Sequence, residues 1–225
     1  MTNQLSFETF EAVLDERYSC RAFLPQQVPV ETIKKIVRAA QKVPSWCNAQ
    51  PWQAIIVSGD ETDKFRDALT GVMMSSSHNA DFEFPARYTG VYKTRRSECG
   101  WQLYDAVGVK KGDRAASMRQ MAENFRMFGA PHVAIITTEK ELGTYGVLDC
   151  GGFVTGFTLA ARAAGIASIA QAALAGYSNE VRAHFDIPPN RQIVCVISFG
   201  FEDADHPANA FRTTRADVEE VIDWR

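Results

Sequence analysis

The chain has 225 residues, of which 46% are hydrophobic and 23% charged, and its formal net charge is -3. These values are ordinary for a globular protein, so the composition predicts a packed core and excludes an intrinsically disordered chain. The lack of an excess of Lys and Arg argues against nucleic-acid binding, which needs a basic face to neutralise phosphates.

The location and redox state are indicated by the N-terminus and by the cysteines. The first turns carry Glu8, Glu11, Asp15 and Glu16 and lack the continuous apolar core of a signal peptide. The apolar stretches are too short and too interrupted to span a bilayer, so we expect a cytoplasmic protein without a membrane partner. The five cysteines are widely spaced without a CxxC pair, which favours free thiols. The four histidines lack metal-ligand spacing, and no metal site is expected.

The first third of the chain shows alternating helix and strand patterns. Apolar residues at helical spacing predict a helix over 6–17, with Ser6 as a possible N-cap, and a second helix near 31–42. A short apolar run from Trp52 to Val57, closed by a turn, predicts a strand. Another helix is predicted over 61–74.

Residues 75–113 differ in composition from the rest of the chain, because they mix aromatic with basic side chains. We predict a partly helical insertion that lies over the body of the protein and, extended to about 75–128, forms a lid or substrate-binding segment. The alternative is a surface segment without a binding role, whose side chains form a small cluster of their own. Apart from this insertion, residues 1–225 are expected to form a single domain.

The second half again alternates strands and helices. The predicted elements, in chain order, are a strand over His132–Thr138, a helix over 146–164, a strand over Ile166–Ile169, a helix over 178–184, a buried strand over 191–200 and a small helix or docking arm over Asp217–Asp223. Together with the first third, they predict an α+β fold in which a modest sheet is wrapped by more helix than strand.

The helix over 146–164 carries a stripe of small residues. Gly152, Gly156, Ala160 and Ala164 recur every four positions, so they lie on one helical face. Such a stripe lets another backbone approach closely, although each Gly lowers helix propensity by about 1 kcal/mol against Ala. The helix is therefore predicted to be buried against another helix, or against its own copy in a dimer.

Several familiar catalytic motifs are missing from the sequence. No GxGxxG follows a strand, no GxxxxGK[ST] loop is present, and no GxSxG elbow appears. Nothing supplies an activated nucleophile, so we expect the reactive group of an enzyme of this sequence to arrive with a cofactor.

Two short segments each place two arginines around hydroxyl groups. They are Arg17-Tyr18-Ser19-Cys20-Arg21, where the first helix ends, and Phe211-Arg212-Thr213-Thr214-Arg215 near the C-terminus. Guanidinium and hydroxyl donors in this arrangement suit a phosphate monoester, because Arg forms bidentate, charge-assisted bonds to phosphate oxygens. The alternatives are a basic helix end that complements the helix dipole and a solvated basic face.

The loop from Pro44 to Trp52 has the sequence PSWCNAQPW. Two prolines fix the backbone around Ser45, Asn48 and Gln50, next to two tryptophans. A rigid polar loop of this kind suits a planar, hydrogen-bonding ligand. The alternative is a capped turn with core tryptophans.

Taken together, these elements resemble the nitroreductase family over nearly the whole chain. The early R-x-S-x-R element matches Arg17, Ser19 and Arg21, the P-S-x-x-N-x-Q-P-W loop matches without a gap, and the late arginine matches Arg215 with Arg212 close by. Three further matches resemble the branch of the family that includes nitrobenzoate-type reductases. They are the segment 95–104, Asn124-Phe125 with Ala130-Pro131, and Gln171-Ala172-Ala173.

The resemblance implies an FMN-bound, intertwined homodimer built on a central, mostly antiparallel sheet wrapped by helices. It implies that the FMN phosphate is held by Arg17, Ser19, Arg21 and Arg215, that Ser45 and Asn48 reach the flavin from the partner subunit, and that Gln50 supports its polar edge. Main-chain groups of Ala170 to Ala173 would lie against the ring; many family members carry Pro and Gly in that stretch. The full set of expected cofactor-binding residues is Arg17, Tyr18, Ser19, Arg21, Pro44, Ser45, Trp46, Asn48, Gln50, Ala170, Gln171, Ala172, Ala173, Arg212 and Arg215.

The activity implied is the reduction of a nitroaromatic compound to a nitroso or hydroxylamine product at the expense of NADH or NADPH. N5 of FMN carries the chemistry by a ping-pong mechanism, with no catalytic side chain and with a small aromatic acceptor as the other partner. For the acceptor we expect stacking by Tyr88, Tyr92, Phe125 and Phe128. Arg95 or Arg96 would pair with a carboxylate or with the 2′-phosphate of NADPH.

Other functions remain open at this point. The same fold and cofactor would serve a quinone or enone reductase, or a flavin-dependent dehalogenase or oxidase. A non-catalytic FMN-binding dimer would bind flavin without bleaching, and a phosphate-binding module without flavin would be colourless.

Overall fold

The computed structural model describes residues 6–225. This part of the chain contains four strands, β1 (Gln53–Ser58), β2 (His132–Glu139), β3 (Ala167–Gln171) and β4 (Arg191–Gly200). Its α-helices are α1 (Phe7–Glu16), α2 (Val30–Ala40), α3 (Asp60–Ser75), α4 (Gly90–Ala106), α5 (Arg114–Ala122), α6 (Gly143–Ala163), α7 (Ala172–Ala175) and α8 (Ser178–His184). None of these helices is both long and apolar enough to cross a membrane.

The four strands form one sheet in the order β1-β2-β4-β3, and every neighbouring pair is antiparallel. The α+β class and the antiparallel sheet predicted above are confirmed. The central strands β2 and β4 are rich in Val and Ile and are largely buried, as expected of strands covered on both faces. One irregularity in their pairing lies between Ile136 and Thr137.

Each face of the sheet carries its own core, because successive side chains of a strand point to opposite faces. Val133 and Ile135 of β2 join a cluster with residues of α3 and α8. Ala134 and Ile136 join a second cluster with residues of α2 and α6, such as Phe153. The sheet is therefore sandwiched between two helical layers.

The small-residue stripe of α6 packs against α2 of the same chain. A Cβ atom on Gly156 would lie 2.8 Å from Cγ1 of Val43 and 3.3 Å from Cα of Ala40, and one on Gly152 would lie 3.8 Å from Cγ2 of Val43. The prediction of a partner helix is confirmed, and that helix is α2. The packing of α6 against its own copy in a dimer stays a prediction, since the helix also carries exposed apolar side chains such as Leu148, which is 66% exposed.

Most predicted elements lie within a few residues of the observed ones. Ser6 caps α1 as predicted, since its Oγ accepts a hydrogen bond from the amide of Thr9 at 3.1 Å. Helix α6 begins at Gly143, earlier than predicted, and β3 extends to Gln171. Near the C-terminus the predicted small helix is a single 3-10 turn, Val218–Glu220.

The insertion (residues 75–128) contains α4 and α5, and neither helix contains a buried residue. Its beginning is fixed to the body: Oδ2 of Asp81 accepts hydrogen bonds from Arg182 and from the amide of Ile193, each at 2.7 Å. Asn79 is likewise bonded to Glu180 at 2.8 Å. The first residues of the insertion are thus held on α8 and β4, while the two helices beyond pack loosely.

Candidate functional site

The two arginine-rich segments, far apart in sequence, line one cavity. This arginine pocket has a volume of about 390 Å³. Its walls are formed by Leu14, Asp15, Arg17, Tyr18, Ser19, Arg21, Cys99, Phe211, Arg212, Thr213 and Arg215. The pocket therefore brings together the six residues of these segments that were predicted to bind the cofactor: Arg17, Tyr18, Ser19, Arg21, Arg212 and Arg215.

Asn209 and Arg212 attach the C-terminal segment to residues 18–22. The buried Asn209 side chain accepts a hydrogen bond from the amide of Arg21 at 2.7 Å and donates to the carbonyl of Ala22 at 3.0 Å. Cζ of Arg212 lies 3.6 Å from the ring centroid of Tyr18, a cation–π contact. Because the hydroxyl of Tyr18 donates to Glu202 at 2.7 Å, that ring is fixed from its other end as well. Arg212 therefore shapes the wall of the pocket.

The pocket carries positive charge that no carboxylate neutralises at close range. Burial and the neighbouring Arg215 lower the pKa of Arg17, and burial lowers the pKa of Arg21. Within residues 6–225 the ion pairs do not include these three arginines. A bound anion would relieve the repulsion between Arg17 and Arg215. Together with Arg21 and the hydroxyl of Ser19, these guanidinium groups form a donor set that fits a phosphate monoester.

The arginine pocket continues along the edge of the sheet. Ser19 pairs with Ser168 of the edge strand β3, and the amide of Cys20 donates to the carbonyl of Ser168 at 3.2 Å. Ala170, two positions further on β3, is exposed and lies about 7 Å along the strand. The main chain of Ala170–Ala173, predicted to lie against a flavin ring, is thus adjacent to the predicted phosphate site.

Gln171 differs from its neighbours, because its side chain is buried. Its Nε2 donates to the carbonyl of Asn124 at 3.0 Å, and its Oε1 accepts from Ser198 at 2.5 Å. The amide therefore connects β3 to the end of the insertion, and the side chain of Gln171 is not free to contact a ligand.

The 44–51 loop adopts an unusual backbone conformation. Cys47, Asn48 and Gln50 have φ angles of 49°, 56° and 48°, in the left-handed region that non-glycine residues rarely occupy. Each such residue costs about 1–3 kcal/mol and persists only where the surroundings hold it. Part of that support lies within the loop, where the amide of Gln50 donates to Oγ of Ser45 at 3.0 Å.

The body of the protein supports the loop from α6 and β4. The carboxylate of Asp149 accepts the amide of Trp46 at 3.1 and 3.2 Å, and the ring centroids of Trp46 and Tyr145 are 5.1 Å apart. At the other end, Arg191 donates to the carbonyl of Pro51 at 3.0 Å. Trp46 and Asn48 themselves remain exposed, so the loop presents its side chains outward.

Within one chain, the 44–51 loop and the arginine pocket are separated along α6. The loop contacts the helix at Tyr145 and Asp149, whereas Arg162, near the other end, bonds to Glu16 and Glu202 beside the pocket at 3.2 and 3.5 Å. From Asp149 to Arg162 the helix rises about 20 Å at 1.5 Å per residue. The two halves of the predicted cofactor site are therefore at opposite ends of the longest helix.

The predicted acceptor residues fall into two groups. Tyr88 and Tyr92 are exposed, and Cζ of Arg96 lies 5.2 Å from the ring centroid of Tyr88. Arg95 is paired with Glu220 at 3.0 Å. These four residues remain on the surface of the insertion or beside the C-terminal segment.

For Phe125 and Phe128 the structure contradicts the prediction of substrate stacking. Their exposed fractions are 3% and 5%, and both belong to the core between the sheet and α3. Phe125 packs edge-on against Tyr177, with ring centroids 5.5 Å apart. The mistake has a simple cause: an aromatic residue in an irregular segment has the same local pattern whether it enters the core or lines a cleft.

Three residues of the site were missed by the sequence analysis: Asp149, Asn209 and Cys99. Asp149 could have been noticed, because it is the one acidic residue in a Gly- and Ala-rich helix. Asn209 precedes Arg212 in a segment whose polar residues show no periodicity. Cys99 of α4 lines the arginine pocket. No local sequence pattern predicts a contact between segments so far apart in the chain.

Comparison with known proteins identifies the family. The model of the nitroreductase family matches residues 14–201, well over half of the chain. The nitroreductase NfnB of Mycolicibacterium smegmatis is 34% identical over 214 residues, which cover 94% of this chain and 90% of that protein. A 4-nitrobenzoate reductase of a Nocardioides species is 30% identical over 222 residues, covering 96% and 90%. The chain therefore belongs to the nitroreductase family.

Solved structures agree with this assignment. The FMN-dependent nitroreductase NfnB from Mycobacterium smegmatis in complex with NADPH has a TM-score of 0.93 and 32% sequence identity, with 98% of this chain and 100% of that chain covered. The FMN- and NADPH-dependent NfnB of a Sphingopyxis strain has a TM-score of 0.92 and 29% identity, with 98% and 99% covered. The predicted nitroreductase-like fold is confirmed.

Proposed function

We propose that this chain is an FMN-dependent oxidoreductase that uses NADH or NADPH to reduce nitroaromatic compounds to nitroso or hydroxylamine products. The arginine pocket is the observation that carries the proposal, because its uncompensated guanidinium groups fit the phosphate of FMN. The relatives support the same activity, since they include proteins named nitroreductase, 4-nitrobenzoate reductase and nitrobenzene nitroreductase.

The residues of the chain divide the work of binding. Arg17, Ser19, Arg21 and Arg215 would hold the phosphate of FMN, and the main chain of Ala170–Ala173, where Ala170 and Ala172 are exposed, would lie beside its ring. When bound, FMN supplies the capacity to accept a hydride from a nicotinamide and to pass it to an acceptor. These residues would bind and position the cofactor, and solvent would supply the protons. Donor and acceptor would bind in turn, which would give ping-pong kinetics.

We further propose that the functional unit is a homodimer in which the 44–51 loop serves the partner's cofactor. Large apolar side chains are left exposed on α1, where Phe7 is 70% and Phe10 53% exposed, and near the C-terminus, where Trp224 is 81% exposed. Apolar surface of this kind usually marks an interface. The separation of loop and arginine pocket along α6 supports the same arrangement, with Ser45, Asn48 and Gln50 acting across the interface. Light scattering on the purified protein should give twice the mass of one chain.

The insertion is proposed to select the acceptor, within a single domain of residues 1–225. Tyr88, Tyr92 and Arg96 present aromatic faces and a cation to solvent. Such a surface suits an aromatic acid, and the name of the Nocardioides relative, 4-nitrobenzoate reductase, agrees with that chemistry. A cytoplasmic location is also proposed, because all five cysteines are free thiols, as is typical of a reducing compartment.

An anaerobic visible spectrum tests the function directly. The purified protein should be yellow, bleach with NADPH or NADH, and regain its colour when 4-nitrobenzoate is added. A flavin that stays oxidised with both nicotinamides would contradict the reductase activity, and a protein that takes up no FMN would contradict the cofactor. In steady state, double-reciprocal plots at several acceptor concentrations should be parallel; intersecting lines would exclude ping-pong kinetics.

A further inference from the structure

We propose that Asp149 is the positioning residue of the 44–51 loop, holding it in the conformation that binds the cofactor. This inference rests on the proposed function, because the loop is expected to contact FMN. Asp149 itself lies in α6, beneath the loop, and touches neither the arginine pocket nor the edge of β3 in the contacts described above.

The carboxylate of Asp149 has an unusual environment. It is 9% exposed, and within residues 6–225 its hydrogen bonds all go to one group, the amide of Trp46, at 3.1 and 3.2 Å. The ion pairs of this part of the chain do not include it. A buried carboxylate without a cation is costly, and the hydrogen bond to the amide of Trp46 offsets part of that cost.

That hydrogen bond fixes the start of the loop. Trp46 directly precedes Cys47 and Asn48, whose φ angles of 49° and 56° are unfavourable for residues other than glycine. The hydrogen bonds of Ser45 and Gln50 hold the loop to itself, not to the body. Arg191 fixes only its far end, at Pro51. Asp149 is therefore the polar anchor at the end of the loop from which Ser45 and Asn48 project.

Tyr145 assists Asp149 from the same face of α6. The two residues are four positions apart and so lie side by side on the helix. The Tyr145 ring contacts the indole of Trp46 while the carboxylate binds its amide, so backbone and side chain of one residue are held together. Because Trp46 is 63% exposed, the aromatic contact covers only part of this residue, and the hydrogen bond to the carboxylate is a second point of attachment to α6.

The test compares FMN release from three holoenzymes. We expect Asp149→Ala to release FMN about tenfold faster than the wild type, since it loses a charge-assisted hydrogen bond that orders the loop. Asp149→Asn, which keeps one acceptor oxygen, should fall between the two and also serves if Asp149→Ala folds poorly. The rate is read from the rise in flavin fluorescence after dilution. Equal release from all three would overturn the inference.

Asp113→Ala is a control for loss of a carboxylate that accepts a main-chain amide outside the loop. Asp113 is the N-cap of α5, where its side chain accepts the amide of Ala116 at 2.9 Å. This variant should lower the melting temperature while leaving FMN release within twofold of wild type. If FMN release in all variants simply followed the melting temperature, Asp149 would be a structural residue and the inference would fail.

Subunit mixing gives a readout that general destabilisation would not move. Asp149→Ala damages the loop, and Arg17→Ala damages the arginine pocket. If the loop acts across the interface, a mixed dimer contains one site in which both parts are intact, so tight FMN binding returns at one of its two sites. No recovery would contradict a loop that acts across the interface, and the comparison of FMN release rates would then decide the role of Asp149 alone. If the wild type itself bound no FMN, the proposed function would fail instead.

Discussion

The arginine pocket and the insertion lie next to each other but are built in opposite ways. The pocket rests on buried residues: Asn209 joins the two segments, and Ser19 is paired with the edge strand of the sheet. The helices α4 and α5 of the insertion contain no buried residue and present Tyr88 and Tyr92 to solvent. The rigid part matches an invariant ligand, the cofactor. The loosely packed part is suited to acceptors of differing shape.

The largest effect is expected at the arginine pocket. Arg17→Ala combined with Arg215→Ala should weaken FMN binding by about 100-fold or more, because a hydrogen bond to a charged group is worth about 1.5–3 kcal/mol. Titration of the apoprotein with FMN measures the change. Arg38→Ala, an exposed arginine on α2, is the control and should bind FMN like the wild type. An unaltered affinity in the double variant would show that the phosphate lies elsewhere.

A pair of glycines tests the difference in packing. In the body, Gly156→Ala would place a Cβ 2.8 Å from Val43, and overpacking should destabilise the fold by about 1–3 kcal/mol. In α4, Gly100→Ala meets nothing within 4 Å and should stabilise the protein by about 0.5–1 kcal/mol through helix propensity. Urea unfolding of both variants gives the two signs. A destabilising Gly100→Ala would contradict the loose packing of the insertion, since it would reveal packing against α4.

A smaller effect is expected at the surface of the insertion. Arg96→Ala should raise the Michaelis constant for 4-nitrobenzoate about three- to tenfold, the size of a partly exposed charge contact. The constant for neutral nitrobenzene, and the affinity for FMN, should not change. Steady-state kinetics with both acceptors provide the measurement. Unchanged constants for both acceptors would remove Arg96 from the acceptor site.

The smallest effect concerns the contact between α4 and the C-terminal segment. The ion pair between Arg95 and Glu220 is about half exposed at both side chains, so a double-mutant cycle should give a coupling of about 0.2–1 kcal/mol that fades at high salt. Arg95→Ala, Glu220→Ala and the combined variant complete the cycle by thermal unfolding. A coupling well above this range would mean that the C-terminal segment holds the insertion firmly.

Elements with a strong local sequence signal are the ones whose bounds could be predicted. The helix 178–184 and the strand 191–200 were predicted with their observed bounds, because the apolar pattern and flanking turns of each leave few alternatives. In the insertion no apolar stripe marks α4 or α5, so only a partly helical segment could be expected there. Phe125 and Phe128 were predicted to stack on the acceptor, although both are buried in the core.

The sequence alone determined the α+β class, the family and the residue types that would meet a phosphate and a planar ring, because these depend on local periodicity and on short motifs with fixed spacing. Only the tertiary structure decided which distant residues act together. It joined residues 17–21 to 212–215 through Asn209, packed the stripe of α6 onto α2, and set Asp149 beneath Trp46. Such contacts depend on how buried surfaces fit across the sheet, which no short stretch of sequence contains.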